Sequence, residues 1–257
     1  MSRTASPPVT PPTDEVEPAR ASAHRWNQGR VAAALLLAVW AAMFWFLFVT
    51  GRVNLYLSTR TSWVDPVGAV LLTAAAIGTL LAARGRSSDR LSRREATVMT
   101  LMVIPVVLVL ALPPATLGSF SVSKKTPFTS AKFSSVYGQI TSSSEITLLS
   151  VAAAQTSNDG AQALAKRAGA TVDFVGMVTR YADTPADEFL LTRFVITCCV
   201  ADATVVQVRV VNVTPGRFRQ NQWVDVQGQI YPLGREVIVN ATSIDPLPTP
   251  AKPYLTP

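Results

Sequence analysis

Long apolar runs fill much of the first half of the chain, whereas the second half alternates between apolar and polar positions. Three uncharged apolar runs, at residues 31–50, 67–83 and 96–112, have about the length that an α-helix needs to cross a bilayer. Pro113 and Pro114 close the third run, because proline cannot continue a helix. Residues 31–117 are therefore predicted to form three transmembrane helices embedded in a lipid bilayer.

Polar segments flank these three spans. Residues 1–30 are rich in proline, threonine and charge, which is typical of a disordered tail. Residues 118–170 predict a linker with short helices. Within it, a capping-box pattern at 142–145 predicts a helix start in front of 146–149, and a second short helix is expected over 160–168. Residues 247–257 are expected to form a C-terminal tail.

In residues 171–246 the hydrophobic pattern repeats every two residues, which is typical of strands with one buried face. Turn-forming residues separate five such runs, at 171–181, 189–200, 203–213, 222–231 and 236–244. Five short antiparallel strands that close on themselves predict an all-β domain of the OB-like barrel type. A two-sheet sandwich is the structural alternative.

The alternation also assigns side chains to the two faces of each strand. The face of the second run that is expected to line the core carries Leu190, Phe194, Ile196, Cys198 and Val200. The opposite face of that run carries Arg193, Thr197 and Cys199. In the third, fourth and fifth runs, valines at alternating positions are expected to point inward.

The composition supports a membrane protein. Hydrophobic residues make up 49% of the chain and charged residues only 15%, against about 25% charged residues in a typical soluble domain. Residues 84–95, between the second and third spans, hold five arginines and two acidic residues. Because cytoplasmic loops carry the excess of Lys and Arg, the N-terminus and this loop are predicted to be cytoplasmic. The loop at 51–66 and the C-terminal domain then lie outside the plasma membrane.

The same composition excludes several classes of function. His24 is the only histidine, which argues against a Ser-His-Asp triad and a His-rich metal site. No nucleotide-binding, metalloprotease or nucleophile-elbow motif occurs, and the acidic residues are too scattered for a carboxylate pair to stand out. Residues 118–257 carry twelve basic and ten acidic side chains, a balance that disfavours a nucleic-acid partner. Neither an enzymatic activity nor an obligatory cofactor is expected.

Cys198 and Cys199 are the only cysteines of the chain, and they are adjacent. Three interpretations remain open. The pair is structural, since free cysteines are often buried; or it takes part in soft-metal or thiol chemistry, with Asp202 or another group completing a metal site; or it forms a strained vicinal disulfide outside the cytoplasm. Asp202 is also expected to stabilise the turn that follows the strand.

Arg193 and Trp223 complete the set of candidate functional residues. Arg193 is expected on the solvent face, paired with an acid such as Asp225. Trp223 lies on the strand face opposite Val224. There it either covers the barrel or docks on a partner, because tryptophan is enriched at interface hot spots.

The run from Leu191 to Ala203 resembles the signature of a bacterial family of permease subunits of unknown biochemical function. The shared pattern, RF-x-I-x-CC-x-AD, begins at Arg193 and ends at Asp202. Shorter similarities occur at residues 54–57, 112–114, 174–178, 223–228 and 253–255. The resemblance covers most of residues 31–257.

This resemblance implies an accessory role. Members of that family carry apolar N-terminal helices and are typically paired with a multi-span permease similar to an arsenic-efflux carrier. The implied function is that of a membrane subunit whose barrel, outside the cytoplasm, gates, guards or presents cargo. Two alternatives remain open: a membrane-anchored thiol module that binds a soft metal ion or acts in redox chemistry, and an envelope module that binds another protein or a glycan.

Overall fold

The computed structural model describes residues 27–84, 92–112, 116–127, 145–155, 158–234 and 236–256. Nearly all of the predicted tail lies outside the described residues, and so do positions 142–144 of the capping-box pattern. In the described part, three long helices come first and a closed five-strand barrel follows.

Three helices at the N-terminal end are long and apolar enough to cross a membrane: α1 (Gln28–Val49), α2 (Val64–Ala82) and α3 (Arg93–Ala111). Each begins three residues before its predicted apolar run, because a polar first turn extends the helix. Asn27 caps α1 by accepting a hydrogen bond from the Arg30 N–H at 3.1 Å. Ser92 and Glu95 form a capping box at the start of α3.

The three helices bury little of their surface against one another. α1 packs against α2, where small side chains such as Ala41, Ala69 and Ala76 are buried. α3 buries only Val106, and Leu101 on the same helix is 64% exposed. An apolar surface of this extent needs lipid or another protein around it.

Short helices connect the spans to the barrel: α4 (Ser119–Val122), α5 (Leu148–Gln155) and α6 (Asn158–Ala165). The helix expected to begin at the 142–145 pattern begins instead at Leu148. Thr147 is its cap, since the Thr147 hydroxyl accepts from the Ser150 N–H at 3.1 Å and the Ser150 hydroxyl accepts from the Thr147 N–H at 2.8 Å. The second predicted helix, at 160–168, lies over 158–165.

The C-terminal domain is the predicted OB-like barrel. Its strands are β1 (Thr171–Thr179), β2 (Phe189–Val195), β3 (Thr204–Val211), β4 (Trp223–Leu233) and β5 (Glu236–Leu247). They close in the order β1-β2-β3-β5-β4. The prediction that all strand pairs are antiparallel is wrong for one pair, because β3 and β5 run parallel with Val210 opposite Val239.

The main hydrophobic core fills the barrel interior and includes Val151 of α5. The inward valines predicted for β3, β4 and β5 are buried there. β2 differs from its prediction: Phe189, Leu191 and Val195 lie in this core, whereas Phe194 and Ile196 do not. The expected faces of β2 are therefore exchanged. Because β2 carries apolar residues on both faces, its alternation did not identify the inner one.

A second cluster of buried side chains, here called the outer cluster, covers one outside face of the barrel. It consists of Val122, Met177, Phe194, Ile196, Ala203, Val205, Trp223 and Tyr254. Val122 comes from α4 and Tyr254 from residues 252–256, here called the C-terminal segment. Two segments that flank the barrel in sequence therefore fold back onto it.

A bulge at Gly228 brings β4 and β5 into close contact. The pairing register shifts between Gln227 and Gly228, and a Cβ atom at position 228 would overlap the Asn240 carbonyl oxygen. Glycine, which has no Cβ, permits this close backbone approach.

Candidate functional site

Strand β2 ends at Val195, and the chain then forms a loop, here called the Cys loop (residues 196–203). Other hydrogen bonds replace those of the sheet at this point. The Ile196 N–H donates to the Leu255 carbonyl at 3.0 Å, and the Thr197 N–H donates to Asp202 Oδ1 at 3.0 Å. The prediction that Cys198 continues the strand on its core face is therefore wrong.

The Cys loop brings the two cysteine side chains together. Their Sγ atoms lie 3.6 Å apart, although adjacent residues of a regular strand would point to opposite faces. Cys198 is exposed and Cys199 is half-buried, and both are free thiols. The interpretation of the pair as buried structural cysteines does not fit this exposure.

Asp202 holds the Cys loop in this shape. Its Oδ2 accepts a hydrogen bond from the Cys198 N–H at 2.8 Å, and its Oδ1 accepts the one from Thr197. This is the kind of side-chain-to-backbone turn that was expected of Asp202. A hydrogen bond to the Asp202 carboxylate, reinforced by one to Cys199, raises the pKa of the Cys198 thiol to about 11. In the free protein at neutral pH, Cys198 is therefore a protonated thiol.

The Cys loop is docked on the connection between α1 and α2, here called the α1–α2 loop (residues 51–63). The Ser58 N–H donates to the Cys198 carbonyl at 3.0 Å, and the Val200 N–H donates to the Tyr56 carbonyl at 2.9 Å. These two bonds form a short antiparallel bridge. The barrel and the α1–α2 loop therefore lie at the same end of the three helices.

Two hydroxyls and one ammonium group strengthen this docking. Ser58, only 1% exposed, donates from Oγ to the Thr197 carbonyl at 2.8 Å, and Thr61 donates from Oγ1 to the Cys198 carbonyl at 2.6 Å. From the other side, Lys125 Nζ donates to the Ala201 carbonyl at 2.7 Å. The carbonyl groups of the Cys loop are thus held from two directions.

Arg193 connects the C-terminal segment to the barrel, so its predicted pairing with Asp225 is wrong. Its guanidinium donates to the carbonyls of Lys252 at 2.9 Å, Pro253 at 3.2 Å and Val175 at 3.3 Å. Burial lowers the pKa of Arg193. Carbonyl oxygens satisfy this partly buried cation in place of an acid.

Trp223 covers the barrel from the outside and is itself covered. It is 6% exposed within the outer cluster, and the Arg193 guanidinium lies 5.9 Å from the centroid of its ring. Of the two expected roles, covering the barrel is the one that the structure shows. A role as an exposed docking residue does not fit, because the chain's own segments already lie over it.

A cleft of about 600 Å³ lies between the α1–α2 loop and the barrel. Arg52 and Asn54 line it from the loop, and Met177, Asn221 and Trp223 line it from the barrel. Its position at the ends of the helices means that an occupant would contact both parts of the protein.

Three aspartates meet on the outside of the barrel, which corrects the expectation that no carboxylate pair stands out. Asp225 of β4 lies directly opposite Asp245 of β5, and Asp173 lies on the neighbouring strand β1. A hydrogen bond with Asp173, together with burial and the charges of Asp173 and Asp245, raises the pKa of Asp225 to about 6. Oδ1 of Asp225 is buried and has no hydrogen-bond partner in the part of the chain that the structure describes.

Among the residues that the structure describes, no group of three or more His, Cys, Asp or Glu side chains is arranged to hold a metal ion. A metal ion at the Cys loop would therefore rest on the two thiols alone. The Asp202 carboxylate oxygens already accept backbone N–H groups.

Sequence reasoning missed Ser58, Thr61 and Lys125 as partners of the Cys loop. The α1–α2 loop does carry a run of hydroxyl residues, 58–59 and 61–62, which is an unusual density for so short a connection. That run is the one signal in the sequence, and it does not say which part of the chain its hydroxyls contact.

Comparison with protein families adds one finding. A family model described as the DUF1980 C-terminal domain matches residues 124–257, a range that takes in the barrel, the Cys loop and the C-terminal segment. No curated protein matches the chain.

Proposed function

The chain belongs to the DUF1980 C-terminal domain family, and we propose that it is an accessory subunit of a multi-span membrane permease. In this proposal the three helices cross the plasma membrane and pack against the permease. The N-terminus is cytoplasmic, and the barrel stands over the opposite mouth of the permease, where it gates, guards or presents cargo.

The observation that carries this proposal is a stripe of small residues on α2, here called the small-residue stripe (Ala74, Gly78 and Ala82). All three are exposed and lie four residues apart, on the side of α2 away from the Ala69 and Ala76 that face α1. In membranes, helices associate through such stripes because small side chains let two backbones approach closely. Apart from the Ala82 carbonyl, which accepts a hydrogen bond from Arg30 of α1 at 2.8 Å, the stripe has no partner helix among the described residues, so we expect a helix of another protein to occupy it.

The docking of the barrel supports the second half of the proposal. Because the Cys loop is bonded to the α1–α2 loop, a protein that packs against α2 would lie beneath the barrel rather than at a distance from it. Arg84, Arg93 and Arg94 support the orientation, since they lie where α2 ends and α3 begins, away from the α1–α2 loop.

Affinity purification of the full chain from native membranes in mild detergent, followed by mass spectrometry, tests this function. We expect a multi-span permease to be recovered with the wild-type chain. Gly78→Ile should abolish its recovery, because the larger side chain fills the stripe. Thr100→Ile, which adds bulk at an exposed position of α3, is the matched control and should leave recovery unchanged.

Two results would overturn the proposal. One is that no multi-span permease accompanies the wild-type chain. The other is that a permease is recovered equally with Gly78→Ile, which would exclude the small-residue stripe as its contact. Recovery of only a soluble envelope protein would favour the envelope-module alternative.

A further inference from the structure

We propose that Cys198 and Cys199 form a two-thiolate binding site for a soft metal ion, of which Cu(I) is the best match. The site lies on the surface of the Cys loop and consists of the only two thiols of the chain. This inference does not depend on the permease, since it concerns side chains that belong to the C-terminal domain alone.

The separation of the two sulfur atoms is the first argument. Two thiolates that each bind one metal ion at about 2.3 Å lie about 3.8 Å apart at a tetrahedral angle and about 4.0 Å apart at a trigonal one. The Sγ atoms of Cys198 and Cys199 are 3.6 Å apart in the protein without metal. A change of a few tenths of an ångström would bring both onto one ion.

The rigidity of the Cys loop is the second argument. Asp202 holds the Cys198 N–H, Thr61 and Ser58 hold the carbonyls of Cys198 and Thr197, and Lys125 holds the end of the loop. A site whose backbone is already fixed loses little conformational entropy when the ion binds. Both thiols nevertheless remain accessible, with Cys198 exposed and Cys199 half-buried.

The number of ligands selects the class of ion. Thiolates prefer soft ions such as Cu(I) and zinc, but a closed zinc site requires four protein ligands. The described residues supply two sulfur ligands and no third His, Cys, Asp or Glu in a ligating arrangement. Three-coordinate Cu(I), with the two thiolates at the trigonal angle and a small ligand from solution in the third position, therefore fits better than zinc.

Binding is a ligand exchange without a change of oxidation state. Cu(I) leaves its buffer ligand, each thiol loses its proton to water, and two Cu–S bonds form. The copper stays Cu(I), both sulfurs stay at the thiolate level, and two protons are released.

A competition titration tests the site directly. The full chain is purified in detergent, kept reduced and free of oxygen, and checked for two free thiols per chain. It then competes for Cu(I) with a chromophoric chelator. The wild-type chain is expected to remove one Cu(I) per chain from the chelator, whereas Cys198→Ser and Cys199→Ser lose measurable competition. Thr197→Ser, which leaves both thiols in place, is the matched control and should compete like wild type.

A second measurement uses only the wild-type chain, so that a folding defect in a variant cannot decide the result. Bound Cu(I) should protect both cysteines from alkylation, as counted by mass spectrometry, and an equal concentration of Zn²⁺ should protect them less. The proposal fails if the reduced wild-type chain competes no better than the Cys198→Ser, Cys199→Ser double variant. It also fails if Cu(I) leaves the alkylation of both thiols unchanged.

Discussion

At the scale of single residues, Asp202 determines both the shape and the chemistry of the Cys loop. Its two oxygens accept N–H groups that would otherwise continue the strand, and the hydrogen bond between its carboxylate and the Cys198 thiol keeps that thiol protonated. The same side chain therefore turns the two thiols toward each other and suppresses the reactivity of Cys198 while no metal ion is bound.

Asp202→Asn is expected to lower the pKa of Cys198 from about 11 toward the ordinary value for a thiol, about 8.5. The neutral amide no longer favours the protonated thiol as the carboxylate does. The rate of alkylation of Cys198 as a function of pH measures this shift. The proteins with Asp202 and with Asp202→Asn both also carry Cys199→Ser, so that Cys198 is the only thiol that reacts. The control is Asp187→Asn, which replaces an exposed acid in the turn before β2. If Asp202→Asn left the pH midpoint of Cys198 alkylation unchanged, Asp202 would not be the cause of the raised pKa.

Asp225 should make the stability of the barrel depend on pH. Its pKa in the fold is about 6, raised from 3.8 by the hydrogen bond with Asp173, by burial and by neighbouring charge. The folded state therefore holds this proton more tightly than the unfolded chain does. As the pH falls from about 7 toward 4, this group makes the fold more stable, and it opposes the fold above pH 6.

Asp225→Asn should accordingly raise the melting temperature at pH 7.5 and remove the part of the pH dependence that lies between pH 6 and 4. Thermal unfolding at a series of pH values checks both statements. Asp183→Asn replaces an exposed acid in a turn and should change neither. If Asp225→Asn gave the same pH profile of stability as wild type and Asp183→Asn, the ionisation of Asp225 would not be coupled to folding.

At the scale of elements, the pattern of the chain predicted what local periodicity can specify. The three spans and the five strands were predictable because each has its own period, and turn residues mark most of their ends. The end of β2 was not predictable in this way. The apolar pattern continues through Ile196, but the hydrogen-bond partners that end the strand, Leu255 and Asp202, are not part of the pattern.

The bulge at Gly228 leads to a prediction at this scale. Gly228→Ala should destabilise the barrel more than Gly176→Ala does, by on the order of 1–3 kcal/mol. At position 228 the added Cβ meets backbone atoms of β5, which cannot move without breaking the ladder, whereas at position 176 its nearest neighbours are side-chain atoms of Leu191, a core residue whose shift would leave the ladder intact. Thermal unfolding of the two variants measures the difference, and equal losses would refute it.

At the scale of the whole molecule, long-range contacts decide how the parts are arranged. Ser58 and Thr61 contact residues 139 and 137 positions away along the chain. Arg193 and Trp223 likewise have partners in the C-terminal segment or in the outer cluster. No local pattern encodes such partners, which is why the sequence identified these candidate residues but assigned the wrong neighbours to Arg193 and Cys198.

The proposed orientation can be tested with thiol labels, because a Cys198→Ser, Cys199→Ser chain contains no cysteine. In that background, Thr242→Cys places a thiol on an exposed position of β5, and Gln28→Cys places one at the start of α1. A membrane-impermeant thiol reagent applied to intact cells should label the first variant and not the second, while both are labelled in broken cells. The reverse pattern would place the barrel in the cytoplasm.

The bridge between the Cys loop and the α1–α2 loop also has a consequence for biogenesis. The ribosome completes Thr61 long before it reaches Cys198, 137 residues later, so the α1–α2 loop waits without its partner while α3 and the barrel are made. At a translation rate of about 5–20 residues per second, this interval lasts several seconds or more. During that interval the Ser58 and Thr61 hydroxyls and the nearby backbone are open to other binders, which makes it the period when a chaperone, or the proposed permease, has free access to this surface.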